Sequence, residues 1–269
     1  MLQALPQAAF FLLQEAAAGG AIALLWIHLR GEVSRGFTLF TGACFLVLGA
    51  LAIWLRSVFP PILTGPDANL WFQVERFSAI AFVLLLALLL ILLRSGAAIN
   101  RVIGMLVPLA GLVSVWSAAL VSNNLQLLGF GPPLAALTGA MALGSALTGL
   151  SLGHWYLVSP TLSVRPLIQV TFVCIGALAA QTVLLVLLLV LPGVSQDGVR
   201  LLFGEDVVFL GVRVVFGLFV PLLARVMTWR TARIRSLDSA TGLLYIVAAL
   251  ILAGEIAART LYFITGVAT

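Results

Sequence analysis

The chain has 269 residues, of which 62% are hydrophobic and only 9% charged, and its mean hydropathy is +1.21. Soluble domains carry about a quarter charged residues, so this composition excludes one and predicts an all-α integral membrane protein forming a single polytopic transmembrane domain. The formal charge of +5 comes entirely from arginine, since the chain has no lysine; arginines at membrane boundaries set orientation and meet lipid phosphates, so the basic balance points to lipid and not to nucleic acid.

Hydrophobic runs between charge and turn clusters predict eight transmembrane helices, roughly 7–29, 35–56, 76–94, 101–122, 133–157, 166–192, 206–228 and 239–264. The first run lacks a basic leader and a small-residue cleavage site, so it reads as a retained helix. The connecting segments sort by charge. Arg30 and Arg35, Arg94 and Arg101, Arg165, and the trio Arg230, Arg233 and Arg235 fall on alternate turns. Opposite them, the fourth-to-fifth connector is uncharged and the sixth-to-seventh holds Asp197, Arg200, Glu205 and Asp206. The positive-inside rule then predicts both termini outside.

The longest external connector, Phe59 to Glu75, mixes Pro, Gly and aromatic residues. It either caps the outer face, with Trp71 and Phe72 at the interface, or skims the membrane. The fifth span carries Ala136, Ala140, Gly144 and the Gly149-x-x-x-Gly153 pair on or near one face, which lets a neighbouring backbone approach closely. Its Thr138, Ser145, Thr148 and Ser151 argue against a lipid-facing helix. The first and fifth spans share small residues, a closing histidine (His28, His154) and a following arginine (Arg35, Arg165). This pattern suggests a four-plus-four duplication with these two spans near a pseudo-twofold axis. Asp238 reads as a cap on the eighth span. Pro108 and Pro221, inside the fourth and seventh spans, are candidate hinges.

Ionisable residues within the bilayer are the most informative, because each costs at least ~2.5–3.5 kcal/mol at the centre unless paired or hydrated. Glu15, Arg213, Glu255, Arg259 and Arg76 all fall in the outer half of their spans. Two readings follow. In the structural one, Glu255 and Arg259 satisfy each other at i, i+4, Glu15 pairs with Arg213, and Arg76 snorkels to headgroups. In the functional one, these groups line a polar cavity where Glu15 or Glu255 accepts a proton and Arg213 or Arg76 polarises an oxygen of a lipophilic ligand. A quinone headgroup, with two carbonyl oxygens, suits that cavity.

His28 and His154 are the minimum for bis-histidine ligation of one b-type haem, with the Gly149–Gly153 surface making room for a macrocycle. No second pair exists for a transmembrane haem relay, and the histidines are better read as part of an aromatic belt beside Trp26, Trp155 and Tyr156, with a docking or proton-conducting role as the next reading, so haem is not the expected cofactor. Cys44 and Cys174 are single and indicate no metal site. HExxH, GxSxG, a phosphate loop and an aspartate-rich prenyl-diphosphate motif are all absent.

The first span, AFFLLQEAAAGGAIALL, and the last, ending GEIAARTLYF, resemble the membrane-anchor subunits of polysulfide and dimethyl sulfoxide reductases, the NrfD-like type, as does the eight-span topology. The resemblance implies a haem-free subunit of a bacterial respiratory or photosynthetic complex in the inner membrane. Such a subunit binds menaquinone or ubiquinone and docks membrane and peripheral redox partners, including an iron–sulfur protein. It implies Glu15, Glu255 and Arg259 near the quinone, and Arg213, Arg76 and His154 are added to that set on the positions argued above. A transporter or channel using the same charge cluster, and a purely structural assembly subunit, are the alternatives.

Overall fold

A chain in hydrocarbon must satisfy its backbone groups internally, which favours helices. The computed structural model describes residues 4–61, 63, 67–95, 101–121, 131–159, 161–190, 204 and 207–266, and no strand occurs among them. The helices are α1 (Ala4–Leu29), α2 (Arg35–Val58), α3 (Ala68–Arg94), α4 (Arg101–Val121), α5 (Gly131–Val158), α6 (Arg165–Val190), α7 (Val207–Arg233) and α8 (Leu237–Thr265). All eight are long and apolar enough to cross a membrane. Asp197, Arg200, Glu205 and Asp206, together with the fourth-to-fifth connector, lie outside the described residues.

Boundaries follow local chemistry. The Ser34 hydroxyl caps α2 by accepting from the Phe37 N–H at 3.2 Å, which meets one of the unpaired donors of a helix start. Gly266, with φ of 73°, ends α8 in the left-handed region and donates its N–H to the Tyr262 carbonyl. Ser236, not Asp238, occupies the cap position of α8, because the chain turns at Arg235 with φ of 57°; Asp238 instead lies in the first turn. Position 76 is not where the third helix begins. α3 starts at Ala68 and absorbs Trp71, Phe72 and Glu75, since Glu75 is neutralised by Arg56 through bonds of 2.7 and 2.6 Å and can be buried inside a helix.

Helix α7 is discontinuous in its hydrogen bonding. Residues Val212–Phe219 form a π-helical segment just before Pro221, which has no N–H to continue the ordinary ladder. Such segments are rare and collect at functional sites.

Helix α1 is the axis of the bundle. Of its most apolar window 78% is buried, against 33% for α2, α3 and α7, so the latter face lipid while α1 is walled by protein. It packs on α2, α4, α5 and α8; α5 correspondingly packs on α6, α8, α4 and α1, and α3 lies on α4 as α7 lies on α8. Two glycine crossings set the spacing. A Cβ on Gly19 would strike the Ala140 carbonyl and one on Gly144 the Gly19–Gly20 peptide, so α1 and α5 meet backbone to backbone. A Cβ on Gly217 of α7 would stand 2.7 Å from Cα of Gly254 in α8. Of the α5 hydroxyls, those of Thr138, Ser145 and Ser151 return to carbonyls of their own helix. Thr148 instead crosses to α1, donating to the Gly20 carbonyl at 3.3 Å, and the Tyr156 hydroxyl leaves α5 for the Ser163 carbonyl at 2.6 Å.

Candidate functional site

On the terminal side of the bundle, where α1 begins and α8 ends, four charged side chains form one chain of contacts. Arg213 Nη1 of the π segment lies 3.0 Å from Glu255 Oε1 of α8. Arg259 Nη2, one turn further along α8, lies 3.5 Å from Glu255 Oε2 and 2.7 Å from Glu15 Oε1 of α1. Charges alternate as Arg213, Glu255, Arg259, Glu15, so the cluster is formally neutral. Gln181 of α6 donates from Nε2 to Glu255 Oε1 at 2.7 Å, and Arg259 donates to the Ala135 carbonyl of α5 at 3.1 Å. The four ionisable residues are 0–2% exposed. At that burial each unpaired charge costs several kcal/mol, so mutual neutralisation is what makes the arrangement tolerable.

The backbone makes room for it. Arg213 is one turn before Gly217 and Glu255 directly follows Gly254, so the α7–α8 glycine crossing brings guanidinium and carboxylate together. On α5, a Cβ at Gly139 would be 2.7 Å from Arg259 Nη2 and 2.9 Å from Glu255 Oε2, so only glycine leaves the cluster its space. Aromatic rings roof the cluster. Phe11 stacks edge-on to Phe263 at 5.8 Å, Tyr262 to Phe263 at 5.3 Å, and the Arg259 guanidinium sits 5.6 Å from the Phe11 ring centre.

Hydrogen-bonding capacity is left over. Glu15 Oε2 meets no donor among the described residues, and Glu15 Oε1 holds its arginine at ion-pair distance without hydrogen-bond alignment. Gln181 Oε1, Arg213 Nε and Arg259 Nε are also without partners there. A carboxylate, an amide oxygen and two guanidinium N–H groups, under aromatic rings, could engage a planar ligand bearing carbonyl and hydroxyl oxygens.

The structure therefore brings together Glu15, Glu255, Arg213 and Arg259, and changes their pairing: Glu15 is held by Arg259, while Arg213 pairs with Glu255. The swap follows from α1 packing against α8. Arg76 does not join them; it is exposed on α3. His154 is exposed near the other end of the bundle, and His28 is half-buried with Nδ1 2.8 Å from the Thr38 hydroxyl. The Gly149–Gly153 surface has no room for a macrocycle, being filled by Leu244, Thr241 and Arg225. Among the described residues no group of three or more His, Cys, Asp or Glu could hold a metal ion.

Sequence reasoning missed Gln181 and Gly139. An amide well inside an apolar helix was the available signal for the first; nothing short of the helix packing marks the second. It also missed a satellite pair, Arg56 with Glu75, in which Arg56 also bonds Gln7 and lies 4.3 Å from the Phe10 ring centre. That pair fastens α2, α3 and α1 at the terminal end. Neither the protein-family models nor the curated proteins give a match to this chain.

Proposed function

We propose that this protein is the quinone-binding membrane subunit of a bacterial electron-transfer complex, seated in the inner membrane with both termini outside and its arginine-rich turns toward the cytoplasm. One observation carries the reading: the two segments that resemble the NrfD-like anchors, at opposite ends of the chain, meet in space through Arg259 and Glu15. A menaquinone or ubiquinone ring would lie against Phe11, Tyr262 and Phe263. Arg213 and Arg259 would donate to its oxygens, and Glu15, with one oxygen that meets no donor among the described residues, would take the proton that a quinol releases. The quinone supplies two-electron chemistry; electrons would pass to or from partner subunits bearing the metal centres, including an iron–sulfur protein.

The neighbour pattern of α1–α4 and α5–α8 supports a four-plus-four duplication. Each half has the same helix adjacencies, and the pseudo-twofold axis of such a duplication would pass between α1 and α5.

Purification of the native protein in mild detergent, with mass spectrometry of copurifying chains and an optical spectrum, tests the proposal. Copurifying redox subunits and an extractable quinone are expected. A lone chain without quinone overturns it.

A transporter is the second reading, favoured by the π segment and Pro221, which interrupt α7 beside Arg213. Substrate-dependent flux in vesicles holding this chain alone would support it.

A further inference from the structure

Away from the cluster, α7 buries a second arginine. Arg225 lies twelve residues beyond Arg213, roughly 18 Å along the helix axis, on the half of the bundle that carries the arginine-rich turns. It is 0% exposed, and its Nε, Nη1 and Nη2 find no hydrogen-bond partner among the described residues. Guanidinium stays charged at any accessible pH. A buried charge with no counter-ion is among the most costly states a protein can hold, so an intramembrane arginine of this kind marks a site with a partner still to be named.

The surroundings define that partner. The Arg225 guanidinium lies against Gly149 of α5, where a Cβ would be 3.2 Å from Nη1. One turn further along α5, Gly153 faces the Thr241 hydroxyl of α8, at 3.0 Å from its own would-be Cβ. The Thr241 hydroxyl is buried and, like Arg225, has no partner among the described residues. Among the described residues no carboxylate bonds to this arginine. Unmet donors from α7 and α8 thus stand on one strip of α5 that carries no side chain.

We infer that Arg225 and Thr241 form a binding site for a phosphate group, independent of the quinone reading. Guanidinium matches two phosphate oxygens in bidentate fashion, and the Thr241 hydroxyl of a further helix offers a donor to a third oxygen, which phosphate has and a carboxylate lacks. The burial of Arg225 excludes a macromolecular ligand. The phosphate is supplied either as the free ion or as the headgroup of an anionic lipid entering from the turn side.

Thermal unfolding of the delipidated full-length protein in detergent, at constant ionic strength, tests this with inorganic phosphate against chloride as the probe. A parallel arm compares nanodiscs of phosphatidylcholine with and without phosphatidylglycerol. Wild-type protein should gain about 4 °C in Tm at tenfold excess over Kd, and Arg225→Met should gain nothing. A gain with inorganic phosphate identifies the free ion; a gain confined to phosphatidylglycerol identifies the headgroup. Equal shifts in wild type and variant, or no shift in either arm, overturn the inference. If Arg225→Met does not fold, Thr241→Val should raise the midpoint for whichever probe stabilises the wild type about fivefold by removing one donor; an unchanged midpoint overturns it equally.

Discussion

Arg259 Nη2 lies 2.7 Å from Oε1 of Glu15, so the last helix is fastened to the first by a charge pair that water does not reach. Because Glu255 and Arg213 extend the same pair, a change at any one of the four is felt by the others.

Glu15→Gln keeps the size and polarity of the side chain and removes the proton acceptor. On the proposed quinone function, quinol-linked turnover normalised to assembled complex should fall about tenfold or more, the lower part of the usual value of a general base, while loss of the Arg259 counter-charge lowers stability. Unchanged turnover in a fully assembled preparation would remove Glu15 from the mechanism.

Glu255→Ala strips the carboxylate shared by two arginines. A buried pair broken on one side typically loses about 3–5 kcal/mol. Arg213→Leu combined with Glu255→Gln leaves only the neutral Arg259–Glu15 pair and should be more stable than the sum of its single changes, with a coupling of about 0.5–3 kcal/mol. Unfolding of the purified variants in detergent would measure it; strict additivity would mean Arg213 and Glu255 do not interact.

Gly139→Ala places a methyl group 2.7 Å from Arg259 Nη2, which forces the guanidinium to move. On the proposed quinone function, quinone retention should drop while the protein remains monodisperse, as read by size exclusion and solvent extraction.

Gly217→Val puts branched bulk against the Gly254 backbone. Since neither backbone can yield as a flexible side chain would, folded yield should fall sharply. A normal yield would show that α7 and α8 do not need their close approach.

The eight apolar helices, and the placing of Glu15, Arg213, Glu255 and Arg259 toward one end of the bundle, were legible because hydropathy and charge are properties of single positions. Their pairing was not: which carboxylate Arg259 reaches depends on α8 packing beside α1, a tertiary relation absent from any local pattern. Charge also misled at Glu75, which reads as a boundary until Arg56 is seen to neutralise it. Arg225 lay inside the expected span 206–228 and was overlooked, although an arginine inside a span is itself a signal. Gly139 was silent, because a glycine's value here lies in the neighbour it does not strike.

The pairing of Glu15 with Arg259 also bears on how the chain is made. The first helix enters the membrane with its carboxylate unmatched, and no other cation bonds Glu15 among the described residues. Arg213 likewise awaits Glu255. Both charges are matched only when α8 follows α1 and α7 from the ribosome, so a product terminated before α8 retains a negative charge in α1 and a positive one in α7 that quality-control proteases can distinguish from a product that includes it.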